Sequence, residues 1–351
     1  MEHLIKEWDG ESVITCFDKP TGTWIFIAIH STRLGPAIGG TRMKPYADVQ
    51  AALTDAMRLA GGMTHKWAAA GFDAGGGKAV LAVPADLDPQ SRTDLLRRYG
   101  ALVGKHNGLF LTGPDLGTTS EDMDVIGENA GPHVFGRTTA GGGAGNPAPF
   151  TALGVFTSIM ITAGRLFGDS ALDGKRVLIQ GVGSVGRELI DLLKNNTGAE
   201  ILISDVNAAE IRSREKTHGL QSVAPDDVYG TPCDIFAPCA VGGILNEETI
   251  PRLRCRAVVG AANNQLADPE DAERLRAREI IYAPDFITNS GGAIGIVGME
   301  TRGWSREQAL DRVVQSIEEN LSQVFDIAEK DGIDTDKAAK QLTAMRLERA
   351  Q

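Results

Sequence analysis

The sequence predicts a two-domain α/β protein whose second half forms a doubly wound parallel sheet. The chain has 351 residues, which is more than one ordinary hydrophobic core accommodates. After residue 175, apolar runs typical of strands alternate with helical segments. Before that alternation begins, the segment "GRTTAGGGAGNPAP" (136–149) is too rich in glycine and proline to continue a helix or a central strand. We therefore place the domain junction in this segment.

The first half alternates strands and helices. "TGTWIFIAIHST" predicts a strand, because β-branched and aromatic residues are concentrated there. A helix is expected after an Asp48 cap and should end at Gly61-Gly62, since apolar residues recur at helical spacing between them. "KAVLAV" predicts another strand, residues 92–106 a second helix, and "LFLTGPDLGTT" a short strand that runs into a turn.

The second half begins with a helix from about Thr151 to Phe167. "RVLIQG" is a continuous apolar run, typical of a parallel strand that is covered on both faces. The helix "GRELIDLLKNN" follows, and further strands are predicted at "EILISD", "CDIFAPCA", "AVVGAANN" and "IIYAPD". The tail is predicted to be helical, with a capping box formed by Ser305 and Gln308. We expect domains at 1–137 and 138–329, with 330–351 forming a helix that packs back on the first domain.

Composition excludes several classes of partner. The net charge is −11, which argues against nucleic acid and against an acidic membrane surface. The four cysteines form no Cys-x-x-Cys pair and no His-Glu-x-x-His occurs, so we expect neither a metal site nor a disulfide framework. We see no signal peptide and no apolar run long enough to span a bilayer. These features predict a cytoplasmic protein.

One glycine motif predicts a dinucleotide site in a Rossmann fold. In "VLIQGVGSVGRELI", Gly181 allows a tight turn, Gly183 lets the backbone approach a pyrophosphate, and Gly186 allows close packing of helix and strand. Asp205 ends the next strand, where its carboxylate would accept hydrogen bonds from a ribose diol and repel a 2′-phosphate. The motif therefore favours NAD over NADP, although a structural glycine turn without a ligand stays an alternative. The predicted nucleotide-binding residues are Gly181, Val182, Gly183, Ser184, Val185, Gly186 and Asp205.

Two lysines lie among small residues in "MTHKWAAAGFDAGGGKAVL". Lys66 and Lys78 lie close together in this stretch, and Asp115 lies in a glycine-bounded turn of the same half. A lysine in apolar surroundings near another cation has a lowered pKa and can act as a base. The residues alone leave two possibilities open: a site that grips a carboxylate and transfers protons, or two surface lysines with buried stems.

A series of longer motifs resembles the glutamate/leucine/phenylalanine/valine family of amino-acid dehydrogenases, and most closely its branch acting on apolar amino acids. The resemblance runs from about Leu34 to the C-terminal helix. The motifs are "GPAIGGTRM", "MTHKWAAAGFDAGGGKAV", "TGPDLGTTSEDMD", "QGVGSVG", "DIFAPCAVGGILN", "GAANNQL" and "YAPDFITNSGG".

This resemblance implies roles for the matching residues. Lys66 would bind the substrate carboxylate, with help from the backbone at Gly39 and Gly40. Lys78 would be the general base that activates water, and Asp115 would exchange protons with the amine. The substrate side chain would be lined by Gly113, Ala293 and Ile296. The cofactor would be contacted by Arg42, Thr151, Ala240 and Asn263, the last of which also holds the substrate amine.

The implied activity is the reversible, NAD-dependent oxidative deamination of an apolar L-amino acid to its 2-keto acid and ammonia, in a homo-oligomer. Gly113 and Ala293 stand where leucine dehydrogenases tend to carry alanine and valine, so the pocket should have extra volume that suits L-phenylalanine. Leucine, valine or tryptophan is the alternative substrate. A 2-hydroxy-acid or alanine-type dehydrogenase would need a His/Arg catalytic set, and His65 is the only histidine near the site. An inactive NAD-binding scaffold or sensor is the remaining alternative.

Overall fold

The computed structural model describes residues 5, 6 and 8–349 and confirms a two-domain α/β fold. Unit 1 comprises Met1–Gly145, Ile296–Ser305 and Thr343–Gln351, and unit 2 comprises Asn146–Gly295 and Arg306–Leu342. These bounds differ from the predicted domains mainly because a short segment after residue 295 groups with unit 1, and because the last helix is divided between the units.

Unit 1 is built on a mixed five-stranded sheet. Its strands are β1 (Ser12–Asp18), β2 (Thr23–Ser31), β3 (Ala37–Lys44), β4 (Gly75–Ala82) and β5 (Phe110–Pro114), in the order β1-β2-β4-β3-β5. The pairs β1–β2 and β2–β4 are antiparallel, whereas β3 is parallel to both β4 and β5. Between residues 8 and 145, three α-helices accompany the sheet: α1 (Val49–Ala69), α2 (Pro89–Lys105) and α3 (Ser120–Ala130).

Alternation along β2 divides the core of unit 1 into two layers. Ile27 and its alternate neighbours join a buried cluster with Tyr99 of α2 and Ile126 of α3. Phe26 and Ala28 point the other way, into a cluster with α1. The sheet is therefore covered by helices on both faces, as strand periodicity requires.

Helix α1 is longer than the sequence predicts. Asp48 caps its start by accepting a hydrogen bond from the backbone N–H of Ala51, as expected. The helix does not end at Gly61-Gly62, however, but continues to Ala69, because buried residues such as Trp67 keep the helical spacing beyond the glycines. The prediction of a break there was wrong, and Lys66 consequently lies in the last helical turn.

The sequence also missed β3, whose two central glycines resemble a loop. They serve close packing of neighbouring strands. A Cβ built on Gly39 would lie 1.7 Å from the carbonyl oxygen of Gly77 on β4. Glycine is thus required at this point inside a strand.

Unit 2 contains a six-stranded sheet in which every neighbouring pair is parallel. Its strands are β6 (Arg176–Gln180), β7 (Glu200–Ser204), β8 (Gln221–Ser222), β9 (Ile235–Pro238), β10 (Ala257–Val258) and β11 (Ile281–Tyr282), in the order β11-β10-β9-β6-β7-β8. The chain moves outward from β6 in both directions. The switch point therefore lies between β6 and β9, where doubly wound sheets bind ligands.

Eight helices follow the unit 1 set in chain order. They are α4 (Ala148–Phe167), α5 (Ser184–Asn196), α6 (Ala208–His218), α7 (Asp271–Ala277), α8 (Asp285–Thr288), α9 (Gly291–Arg302), α10 (Arg306–Asp331) and α11 (Thr335–Arg349). Of these, α9 and α11 contribute residues to both units.

Helix α4 corrects one expectation. It is long and apolar enough to cross a membrane by length and composition, so the statement that no run is long enough was wrong. Half of its apolar window is buried, and it packs against α5, α8 and α10 within unit 2. These contacts are those of a core helix.

Candidate active site

The centre of the candidate site is a buried lysine–aspartate pair in unit 1. Lys78 lies on β4 and is 5% exposed, and its Nζ is 3.2 Å from Oδ2 of Asp115. Asp115 follows β5 in a turn that is fixed by Thr118, whose hydroxyl accepts the Asp115 N–H and donates to the carbonyl of Thr41. Two sequence-predicted residues that lie 37 positions apart are thus in direct contact.

Burial has the largest effect on the pKa of Lys78. Removal from water lowers its pKa, and the positive charge of Arg42 lowers it further, whereas Asp115 acts in the opposite direction; the net pKa is lowered. Arg42 is thus one cation beside Lys78, and an effect of Lys66 on this pKa stays a prediction. Burial raises the pKa of Asp115, yet the charges of Lys78 and Arg42 outweigh it and hold that pKa below its usual value. An amine with a lowered pKa beside an ionised carboxylate can take up and deliver protons.

Glycine at position 40 leaves room for this pair. A Cβ built there would lie 2.8 Å from the carbonyl oxygen of Pro114, 2.9 Å from Cβ of Asp115 and 3.3 Å from Nζ of Lys78. Any larger residue would displace one of them. Gly40 is paired with Gly113 across β3 and β5. Neither strand therefore carries a side chain at this point on the sheet face where the amine of Lys78 lies.

Lys66 lies on α1, which packs against β4, and is half-buried in the last turn. Its role in binding a substrate carboxylate stays a prediction.

Arg42 belongs to a hydrogen-bonded network that the sequence did not indicate. Its Nε donates to Oδ2 of Asp115 at 2.8 Å, and its Nη1 donates to Oδ2 of Asp55 at 3.0 Å. The Tyr46 hydroxyl donates to the same Asp55 oxygen at 2.7 Å. The implied contact between Arg42 and a cofactor stays a prediction, while the structure shows the guanidinium engaged with two carboxylates. Only the position of Arg42 directly after "GGT" could have suggested a place near the site.

The volume expected at Gly113 is occupied. A Cβ at Gly113 would lie 2.2 Å from Cε2 of Phe135, so the phenylalanine ring fills the space that the missing side chain leaves. Phe135 is half-buried and held beside β5 by a hydrogen bond from its N–H to the carbonyl of Thr112 at 2.9 Å. The expectation of extra volume at this position was therefore wrong, and Phe135 is a neighbour of Gly113 that sequence reasoning missed. A place of either residue in a substrate pocket stays a prediction.

Ala293 and Ile296 lie one turn apart on α9 and hence on the same helix face. Ala293 is half-buried and Ile296 is buried. Their place in a substrate pocket stays a prediction.

The glycine motif of unit 2 forms a cradle between β6 and α5. Gly181 has a φ of +101°, and a Cβ there would lie 2.8 Å from Cβ of Ala240. A Cβ at Gly186 would lie 2.0 Å from the carbonyl oxygen of Gly181, so this glycine allows the helix to approach the turn. Gly183 caps α5 without a side chain, and its Cβ position has open space within 4 Å. Val182, Ser184 and Val185 complete the turn. A pyrophosphate fits such a cradle, because free N–H groups of the helix N-terminus face it.

Asp205 directly follows β7 beside this cradle. Its Oδ2 accepts a hydrogen bond from the N–H of Val182 at 2.7 Å, and its Oδ1 accepts one from Asn207 at 2.8 Å. The carboxylate is thereby fixed at the end of the strand. An acceptor in this place fits a ribose diol.

The remaining predicted cofactor residues also belong to unit 2. Ala240 follows β9 and packs on Gly181, as described above. Asn263 is exposed in the loop after β10, and its Oδ1 accepts a hydrogen bond from Nδ2 of Asn289 at 2.8 Å. Thr151 lies in the first turn of α4, where its hydroxyl donates to the carbonyl of Pro147. Asn289, which orients the Asn263 amide, was not predicted.

Comparison with known proteins places the chain among enzymes. A model of the "Glu/Leu/Phe/Val dehydrogenase, dimerisation domain" matches residues 20–130, and one of "Glutamate/Leucine/Phenylalanine/Valine dehydrogenase" matches residues 207–351. A leucine dehydrogenase of Thermoactinomyces intermedius is 42% identical over 344 residues, covering 98% of this chain and 92% of the relative. A phenylalanine dehydrogenase of Lysinibacillus sphaericus is 41% identical over 334 residues, covering 94% and 86%.

Structural comparison agrees. The crystal structure of L-tryptophan dehydrogenase from Nostoc punctiforme matches with a TM-score of 0.89 and 37% identity, covering 100% of this chain and 99% of the other. The resemblance noted in the sequence is thus confirmed over both units. With its buried lysine–aspartate pair and its dinucleotide cradle, the chain belongs to the glutamate/leucine/phenylalanine/valine family and is an NAD(P)-dependent amino-acid dehydrogenase.

Proposed function

We propose that the enzyme catalyses the reversible, NAD-dependent oxidative deamination of an apolar L-amino acid to its 2-keto acid and ammonia. The observation that carries this proposal is the buried amine of Lys78 beside Asp115, at a point where a side chain on Gly40 would displace one of the two. A base with a lowered pKa next to a proton-exchanging carboxylate is what the hydrolysis of an imine requires.

In the proposed mechanism, Lys66 and the backbone at Gly39 and Gly40 bind the substrate carboxylate. When bound, NAD supplies the acceptor for the hydride that leaves the α-carbon, and the substrate becomes an imine. Lys78 removes a proton from water, whose oxygen adds to the imine carbon. Asp115, which has taken a proton from the substrate ammonium group before the hydride leaves, returns it to the nitrogen of the resulting carbinolamine. The carbon–nitrogen bond then breaks, the carbinolamine hydroxyl gives its proton to Asp115, and ammonia and the 2-keto acid are released. Asn263 holds the substrate amine during these steps.

The preference for NAD over NADP is argued from Asp205. A fixed carboxylate accepts hydrogen bonds from a ribose diol and repels a 2′-phosphate. Comparison of kcat/KM for the two cofactors tests this, and a wild-type enzyme that prefers NADP would contradict it.

L-Phenylalanine is our first candidate substrate. Open volume at Gly113 does not support this choice, since the ring of Phe135 occupies that space. Two features still support an aromatic substrate: the small Ala293, and an aromatic ring in the wall, because aromatic pairs gain about 0.5–1.5 kcal/mol beyond burial. Leucine is the second candidate, since relatives about equally similar to this chain are named for leucine, tryptophan and phenylalanine.

Initial rates with Phe, Leu, Val, Trp and Glu, each with NAD, test the activity and the substrate together. We expect NADH formation with Phe at the highest kcat/KM and with Glu at the lowest. A higher kcat/KM for Leu or Val would replace the aromatic assignment. No NADH with any of the five amino acids would contradict the proposed activity and favour an inactive NAD-binding scaffold.

We further propose that the enzyme is a cytoplasmic homo-oligomer without nucleic-acid or membrane partners. The match of residues 20–130 to a domain described as a dimerisation domain supports self-association. Light scattering after size exclusion measures it, and a mass of one chain at micromolar concentration would contradict it.

A further inference from the structure

Four contacts link a surface-proximal tyrosine to the catalytic lysine. Tyr46 donates to Asp55 at 2.7 Å, Arg42 donates to Asp55 at 3.0 Å and to Asp115 at 2.8 Å, and Lys78 is 3.2 Å from Asp115. Tyr46 follows β3, Asp55 lies on α1, and Arg42 lies on β3. The network therefore joins β3, α1, β4 and the turn after β5 at the candidate acid–base pair.

A single oxygen of Asp115, Oδ2, is shared by both cations. If Lys78 were the only partner, loss of its proton would leave a mostly buried carboxylate without a counter-charge, and the pair would retain the proton. Arg42 stays charged at every pH at which the enzyme could work. Asp115 thus remains compensated when Lys78 becomes neutral.

The guanidinium is itself held in place. Its side chain is 19% exposed, and it spans two carboxylates, of which Asp55 has a side chain that is 14% exposed. A planar guanidinium with two fixed acceptors loses its rotational freedom. Asp55 is fixed in turn by two further donors, Tyr46 on its Oδ2 and Arg58 on its Oδ1.

We propose that Arg42, anchored by Asp55 and Tyr46, is a positioning residue that fixes Asp115 and leaves Lys78 able to give up its proton. The role in catalysis rests on the proposed function. In this role Arg42 acts through Asp115, separately from its predicted contact with the cofactor.

The charged side chains that act on Lys78 come from three elements, and Lys66, which also lies on α1, is unchanged in every variant tested. The turn after β5 presents Asp115, β3 presents Arg42, and α1 presents Asp55. On the remaining side, β2 places the uncharged Ala28 opposite Lys78. Loss of the Arg42 charge should therefore raise the pKa of Lys78, and loss of the Asp55 charge should lower it.

The first test measures Lys78 directly. Cyanate carbamylates only neutral amines, so the pH dependence of Lys78 carbamylation, followed by peptide mass spectrometry, gives the apparent pKa of this residue in the intact protein. We expect its midpoint to rise by about one pH unit in Arg42→Gln and to fall in Asp55→Asn, with a smaller rise in Arg42→Lys, which keeps the charge. Arg98→Gln is the matched control, because Arg98 also binds a carboxylate, Asp18, through two hydrogen bonds in unit 1.

The second test uses turnover. The acidic limb of the kcat profile should move in the same directions as the labelling midpoint, and Arg42→Lys should recover part of the kcat lost in Arg42→Gln. If Arg42→Gln does not fold, Arg42→Lys and Asp55→Asn carry the test. Midpoints that stay unmoved, or that shift in the same direction in Arg42 and Asp55 variants, overturn the inference. A wild-type enzyme without amino-acid-dependent NADH formation overturns the proposed function instead, and the labelling result still decides the role of Arg42.

Discussion

At the scale of single residues, the site depends on an ionisable side chain that is buried in the sheet. Lys78 is 5% exposed on a strand that is otherwise almost entirely buried. Burial lowers its pKa most, the neighbouring Arg42 lowers it further, and Asp115 opposes both without cancelling them. The small residues around Lys78 therefore have a structural reason: they allow its amine to be buried beside Asp115.

Replacement of Lys78 by alanine should separate chemistry from cofactor binding. Loss of a general base costs ~10²–10⁴-fold in rate. The nucleotide cradle lies in unit 2, so the Kd for NADH should stay close to that of the wild type. Turnover and NADH fluorescence titration measure the two effects, with the exposed Lys105→Ala as control. Near-wild-type oxidation by Lys78→Ala would remove this residue from the mechanism.

The contact between Gly113 and Phe135 can be tested as a pair. Gly113→Ala should lower kcat/KM and the melting temperature, because its Cβ would enter the ring of Phe135. In a Phe135→Ala background the same change should be much less harmful, since the ring is gone. Phe135→Ala alone should lower kcat/KM for Phe relative to Leu, as the wall loses its aromatic contact.

Rates with Phe and Leu for the four enzymes of this cycle give the coupling between the two positions. Strictly additive effects would show that Phe135 does not fill the space at Gly113. An unchanged Phe-to-Leu ratio in Phe135→Ala would remove the remaining aromatic argument.

At the scale of elements, the strand–turn–helix of the cradle gives its glycines different tasks. Gly183 faces open space, whereas Gly186 is pressed against the carbonyl of Gly181. We therefore expect Gly183 to serve a bound ligand, whereas Gly186 serves packing.

Alanine at each position should reveal this division. Gly183→Ala should keep the wild-type melting temperature but raise the Kd for NADH, because its methyl group enters the space that a pyrophosphate needs. Gly186→Ala should lower the melting temperature, because helix and turn must separate. Differential scanning fluorimetry and NADH titration distinguish the two variants. Equal effects of both on stability would contradict the division of tasks.

The sequence predicted those elements whose pattern is local. The strand at "RVLIQG", the helix after Gly183 and the cap at Asp48 all follow from neighbouring residues, and the structure confirms them. It failed where distant packing overrides local preference: α1 continues past Gly61-Gly62, and β3 forms despite its two glycines.

The same distinction between local pattern and distant packing holds for the residues of the site. Lys78 and Asp115 belong to recognisable motifs, so the sequence could indicate them. Other contacts join chain segments that meet only in the fold, as Arg42 does with Asp55 and Phe135 with Gly113. No local sequence pattern predicts such contacts.

At the scale of the whole molecule, paired charges are concentrated in unit 1. The aspartates with lowered pKa that face arginines there are Asp18, Asp55, Asp115 and Asp122. Burial raises the pKa of each, but hydrogen bonds and positive charges from arginines and other partners outweigh it. In unit 2, a lowered carboxyl pKa is found at the exposed Glu273. The tryptophans, Trp8, Trp24, Trp67 and Trp304, also all fall in unit 1.

Acid should therefore destabilise unit 1 before unit 2. A carboxyl group whose pKa is lower in the folded protein than its usual 3.8 contributes stability above that value, and the contribution is lost as pH falls through the folded pKa. On titration from pH 7 downward, tryptophan fluorescence, which reports on unit 1, should change at a higher pH than hydrogen-exchange protection of unit 2 peptides.

As a control, Asp122→Asn removes one linked group, whose hydrogen bonds to Arg92 are worth about 1.5–3 kcal/mol at neutral pH. Its stability deficit should shrink toward zero below the folded pKa of Asp122, because the wild-type carboxyl is then protonated as well. Loss of protection in unit 2 before the fluorescence change, or a deficit that persists unchanged in acid, would show that these ion pairs do not set the acid stability of the enzyme.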